Sequence, residues 1–127
     1  MKKIIEIPKC IVMSKELEDR FHNYAKAVRD FCRKVKWDLI NREYIKQVIR
    51  SSGSVSANYT EASDDLGKAD EKMKIKIARR EAKETVNWLD LILIYEDPGL
   101  EKIKTILLDE SDQIRKILSS IIKKLGG

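Results

Sequence analysis

Leu17, Phe21, Tyr24, Val28, Phe31 and Val35 follow one another at alternating steps of four and three residues. That spacing lays one apolar stripe along a helix, and Ala25 and Cys32 widen it. A second stretch repeats the rhythm through Ile45, Val48, Ser52, Val55, Tyr59, Ala62 and Leu66, with small residues where Leu would be usual. A third places Ile75, Ala78, Ala82, Thr85, Val86, Leu89 and Leu93 on one band, and Ile77, Trp88, Leu91 and Tyr95 on its neighbour. A fourth carries Ile103, Ile106, Leu107, Ile114, Ile117, Leu118, Ile121 and Leu125. No strand-like alternation of useful length interrupts them.

Punctuation between these stretches sets the boundaries. Residues 1–13 read as an arm, with Pro8 as a breaker, and Ser14 is placed to cap a helix over 14–36. Asn41 is placed to cap a second helix over 41–65, which Gly67 ends by supplying a left-handed position. A third helix is expected over 69–95. Glu96-Asp97-Pro98-Gly99 is the clearest turn, and a fourth helix follows over 100–125. Four helices on short connections predict an all-α, up-down-up-down antiparallel four-helix bundle over 14–127.

The second and third helices carry more than such a bundle needs. Arg50, Ser54, Asn58 and Glu61 run along a face roughly 130° from the apolar seam at ~100° per residue. Small side chains permit a close neighbour, and buried Arg, Asn and Glu require partners. Together with Glu81 and Glu84 they predict a partly buried polar network between helices 2 and 3, within or between subunits; ordinary surface charge is the plain alternative. The Trp88, Leu91 and Tyr95 band widens the apolar arc of helix 3 beyond half its circumference, which predicts contact with a second subunit or simply a well-buried helix.

Composition narrows the chemistry. In 127 residues there are 26 Lys and Arg against 21 Asp and Glu, an excess that permits phosphate binding without demanding it. The surplus is uneven, at +5 over residues 1–36 and −2 over 37–67. Two rows hold cations at helical spacing: Lys72, Lys76, Arg79 and Lys83, and Lys26, Arg29, Arg33 and Lys36. Such rows follow phosphates or are merely a solvated face, and no interleaved aromatics suggest base reading. One histidine, His22, and no Glu-x-x-His argue against a di-iron site; no metal or other cofactor is expected. Without a Gly-x-Ser-x-Gly elbow or a phosphate-cradling glycine loop, the serines at 51–56 read as packing residues, so an enzyme is not expected. No apolar run approaches a membrane span, and Cys10 and Cys32 show neither metal nor disulfide spacing, which suggests a cytoplasmic protein.

Three segments in order carry a resemblance: QVIRSSGSVSANYTEA (47–62), LGKAD (66–70) and KIARREAKET (76–85) followed by Trp88 and Leu89. Over about residues 15–125 the chain resembles the bacterial four-helix-bundle proteins called the 23S rRNA intervening-sequence protein family. That family is similar to the accessory protein of diversity-generating retroelements, a basic homopentamer that binds nucleic acid and a reverse transcriptase. The resemblance implies a left-handed bundle, assembly with itself as a pentamer, and no catalytic residues to carry over. The family pattern has Phe shortly after the Leu66 segment where this chain has Glu71, Lys72 and Met73, which puts one local contact in doubt. Two functions remain open: RNA or DNA binding through the basic rows, or a protein–protein adaptor or retroelement scaffold that uses the outer faces of helices 2 and 3.

Overall fold

The computed structural model describes residues 14–62 and 67–127. The expected arm, Cys10, Leu66 and the expected end of helix 2 at residue 65 lie outside them. Four helices are formed: α1 (Lys15–Lys34), α2 (Leu39–Ala62), α3 (Lys68–Leu91) and α4 (Pro98–Lys124). Each packs on its neighbours in the chain, α1 closes on α4, and the backbones of the diagonal pairs stay apart. This is the sequential packing of an up-down bundle. The α2–α3 seam is the most intimate and the α1–α4 seam the most open.

The heptad rows form the core. Leu17, Phe21, Tyr24, Val28, Phe31 and Val35 of α1 are buried, as are Ile45, Val48, Ser52, Val55, Tyr59 and Ala62 of α2. Phe21 meets Tyr59 edge to face, with ring centroids 4.8 Å apart. α3 contributes Ile75, Ala78, Ala82 and Leu89, and α4 contributes Leu107, Ile114, Ile117, Leu118 and Ile121. Burying a large side chain of this kind stabilises the fold by about 1.5–3 kcal/mol. The greasiest stretch of the prediction fails at one place on each of two helices. Leu91, Leu93 and Ile106 are exposed, while Ile92 and Ser111 are buried instead.

Ser111 belongs to a polar layer that crosses the core. The Tyr24 hydroxyl pairs with Ser111 Oγ. Thr85 Oγ1 lies 2.8 Å from Ser51 Oγ. One residue from each helix takes part, all four are buried, and Ser111 and Thr85 also donate to their own helices at Leu107 O and Glu81 O, 2.8 Å in each case. Every hydroxyl therefore has a partner, which is the condition for keeping polar groups in a core. Burial keeps the Tyr24 phenol protonated well above its ordinary range.

Capping explains where the helices start. Ser14 Oγ accepts from Leu17 N at 3.2 Å, as expected. Asp97 does the same for Leu100 N at 3.0 Å, with Pro98 in the first turn of α4. The cap of α2 is Asp38, not Asn41: Asp38 Oδ1 accepts from Asn41 N at 2.8 Å. Asn41 is already inside the helix and fully buried. Its Nδ2 donates to Lys36 O and Leu93 O, both at 2.9 Å, and its Oδ1 accepts from Leu93 N at 2.8 Å. One side chain thus joins the α1–α2 connection to the α3–α4 connection at the same end of the bundle.

That latch also corrects the end of α3. The helix stops at Leu91, four residues short of Tyr95, because the peptide groups of Leu93 turn to Asn41. Tyr95 and Glu96 then take left-handed φ values of 51° and 61° to reach the cap of α4. Lys104 of α4 reaches back to the freed carbonyls of Asp90 and Ile92, at 2.7 and 3.0 Å. Gly67, expected to end helix 2, stands at the N-cap of α3 with φ 91° and ψ 157°, a positive-φ backbone that favours glycine.

Candidate nucleic-acid interface

The helical spacing of Lys76, Arg79, Arg80 and Lys83 sets four cations on one side of α3, where they line a cleft against α4. Arg115 and Ser119 complete it from the α4 side, enclosing about 350 Å³. Among the described residues no carboxylate lines this cleft. Arg79 Nη1 donates weakly to Ser119 Oγ at 3.4 Å, which joins the walls. Arg115 Nη2 is held by Asp112 Oδ1 at 2.9 Å, and Lys116 reaches Asp112 Oδ2 at 3.2 Å. The hydrogen bonds from Arg115 and Lys116 hold the Asp112 carboxyl below its usual range, so it is firmly ionised beside the cleft.

Of the row expected on α3, Lys76, Arg79 and Lys83 line the cleft, and Lys72, half-buried, does not. Arg80, Arg115 and Ser119 were not anticipated. Arg80 stands four residues after Lys76 and could have been included on spacing alone. Arg115 and Ser119 require the register of α4 on α3, which no single helix pattern carries.

The row expected on α1 does not form one track. Lys26 and Arg29 edge a groove of about 300 Å³ with Ile49, Ser52 and Gly53 of α2. Arg33 borders a separate hollow with Asp30 and Lys34. Arg29 is engaged by Asp30 at 3.1 Å, and Lys36 lies over the Tyr95 ring, 5.2 Å from its centroid, at the end of the bundle. Because α1 and α3 stand diagonally across the bundle, their basic rows face different sides.

The polar residues of α2 separate into three local groups. Arg50 Nη1 pairs with Glu81 Oε2 at 2.8 Å and Nη2 approaches Glu84 at 3.9 Å. Arg50 is 53% exposed, but the Glu81 side chain is only 5% exposed. Burial, followed by hydrogen bonding with Glu84, raises the Glu81 carboxyl above its usual range, and the Arg50 charge opposes this. Asn58 Nδ2 donates to Ser54 O and Ser54 Oγ, both at 2.9 Å, within α2 itself. Glu61 pairs with Lys74, a partner not foreseen, at 2.7 Å.

Trp88 is half-buried against Tyr44, with ring centroids 6.2 Å apart, and its Nε1 is buried without an acceptor. Tyr95 stands 53% exposed, beyond the end of α3, and its hydroxyl donates to the Asp38 carboxylate. That bond holds the Asp38 carboxyl down and pushes the Tyr95 phenol up. Exposed Ile40 and Leu91 lie near the same end as Tyr95.

Among the described residues no three His, Cys, Asp or Glu groups assemble to hold a metal ion. His22 is exposed at the rim of the α1–α2 groove. Cys32 is free and buried, and burial pushes its thiol up to about 12. Among the described residues no helix is long and apolar enough to cross a membrane.

Comparison with known proteins places these observations in a family. No curated protein gives a significant match. A crystal structure from Bacteroides thetaiotaomicron VPI-5482, described as a protein of unknown function from the S23 ribosomal protein family, superposes with a TM-score of 0.69. It is 31% identical, and the match covers 85% of this chain and 96% of that one. Residues 15–125, nearly all of the bundle, match the 23S rRNA-intervening sequence protein family, and the chain belongs to that family.

Proposed function

We propose that this protein is a non-enzymatic, self-associating helical bundle that binds RNA or DNA through the α3–α4 cleft. The observation that carries the reading is the cleft itself: five cations and a serine converge from two helices with no carboxylate among them. A groove of that kind grips successive phosphates by charge and by the forked guanidinium donors of Arg79 and Arg80, with Arg115, tied to Asp112, at its edge. Lys72 extends the row along α3, and Lys26, Arg29, Arg33 and Lys36 supply a weaker field on another side. The reading includes a cytoplasmic location and, following the resemblance to retroelement accessory proteins, a pentamer able to engage a reverse transcriptase.

The test is fluorescence anisotropy of a generic single-stranded RNA titrated at several salt concentrations. Each phosphate neutralised contributes a log–log slope of about 0.7 on a single strand, so Lys76→Glu with Arg79→Glu should flatten the slope by one to two such steps and weaken binding. No association at low salt overturns this reading. A second reading, a protein–protein adaptor, is favoured by the partly exposed Tyr44/Trp88 pair and by Leu91 and Tyr95 nearby. Light scattering bears on both: a 14.7 kDa particle at high concentration removes self-association.

A further inference from the structure

We propose that the groove between α1 and α4 is the docking site of this chain's own N-terminal arm, residues 1–13. The groove is the largest in the molecule among those described, at about 610 Å³. Its character is opposite to that of the α3–α4 cleft. Glu16, Asp19, Asp109 and Glu110 line it, with Arg20 as the single cation among the described residues. Its floor is apolar, and Ile106 stands 58% exposed there beside Leu107. An isoleucine facing water over a ready-made trough leaves apolar area to be covered.

The arm has the complementary composition. It carries Lys2, Lys3 and Lys9 against Glu6 alone, and Ile4, Ile5, Ile7, Ile11, Val12 and Met13 supply apolar side chains. It joins the described chain at Ser14, two residues before Glu16, so it is tethered at the mouth of the groove. The lining of α1 runs from Glu16 to Ala27, about 17 Å at ~1.5 Å per residue. Thirteen extended residues reach about 40 Å at ~3.3 Å each, more than twice what is needed. The tether makes the encounter intramolecular, so modest contacts suffice. Arg20 fits the same picture: Nε and Nη2 grip Glu110 at 2.8 and 2.6 Å, while Nη1 is buried without an acceptor. An extended segment brings backbone carbonyls to such a donor. This inference stands apart from nucleic-acid binding, since it uses a different seam.

A nitroxide spin label on Cys10 of the full chain tests it, with Cys32→Ala as the control for labelling specificity. The expected result is loss of amide NMR intensity confined to residues 16–27 and 106–110. Glu16→Lys with Asp109→Lys, both at exposed positions, should restore that intensity, and adding Lys2→Glu with Lys3→Glu should bring the loss back. Uniform losses, or none, overturn the proposal, as does a loss that survives the charge reversal unchanged. A mixture of isotope-labelled and spin-labelled molecules completes the test: losses appearing only across molecules would assign the groove to another copy's arm and refute docking in place.

Discussion

Replacing Asn41 by alanine should be among the most damaging single changes available outside the apolar seams. The side chain makes three hydrogen bonds of 2.8–2.9 Å to backbone groups of Lys36 and Leu93 and is fully buried. Each such bond is worth about 1 kcal/mol net, and a backbone group left buried and unpaired costs more. Lys36 and Leu93 are themselves partly open to water, which recovers some of that loss. A destabilisation of about 3 kcal/mol follows, equivalent to roughly a 10 °C drop in melting temperature for a chain of this size. Urea titration followed by circular dichroism should show a lower midpoint with an unchanged slope. Asn41→Asp sharpens the argument, because it keeps the acceptor for Leu93 N but turns a carboxylate toward two carbonyls. At pH 7 it should cost at least as much as alanine, and it should recover in part as the pH falls and the new carboxyl protonates. A loss below about 1 kcal/mol for alanine would mean that the two connections hold their course without the latch, and the reasoning would fail.

Other expectations follow from the same geometry. Arg50→Ala leaves the Glu81 carboxylate buried beside Glu84, and should cost about 1–2 kcal/mol at pH 7, discounted because Arg50 is over half exposed. Since the folded-state Glu81 carboxyl sits above its ordinary 4.5, its contribution is most favourable below that pH and declines as pH rises through the raised value. The cost of Arg50→Ala should therefore shrink toward pH 4.5, and Glu81→Gln should flatten the decline, both read by denaturation at a series of pH values. Asp38 behaves in the opposite sense: its carboxyl is held below 3.8, so its stabilisation is present above that pH and fades as pH falls through the lowered value. Tyr95→Phe should remove part of that acid sensitivity, and identical acid titrations of the two proteins would dismiss the Tyr95–Asp38 bond. Gly53 is exposed in mid-α2, and a Cβ there would meet nothing within 4 Å; Gly53→Ala should raise stability by roughly 0.5–1 kcal/mol, measurable as a higher urea midpoint.

The architecture was legible because heptad spacing is a one-dimensional signal. Positions such as Val48, Val55 and Leu118 declare their burial through their neighbours three and four residues away, whatever the other helices do. The helix ends were less legible where two capping residues compete. Asp38 and Asn41 stand three apart and either could open α2, and only the position of Leu93, 52 residues on, decides that Asn41 is needed inside. The same contact stops α3 early and moves Tyr95 off the helix. In the candidate interface, Lys76, Arg79 and Lys83 could be read from one helix, whereas Arg115 and Ser119 depend on how far α4 slides along α3. The predicted stripe from Arg50 to Glu61 shares a face, but its side chains chose different partners within reach: Glu81, Ser54 and Lys74.

α4 borders two seams of contrary sign, sharing Asp109 and Glu110 with α1 and Arg115 with α3. The molecule is thereby electrically lopsided across its width, and it can turn in the field of a strong polyanion before touching it. Collisions would then arrive with the cationic flank leading and the anionic flank trailing, an orientational bias that raises productive encounter rates in dilute buffer and fades as counterions accumulate.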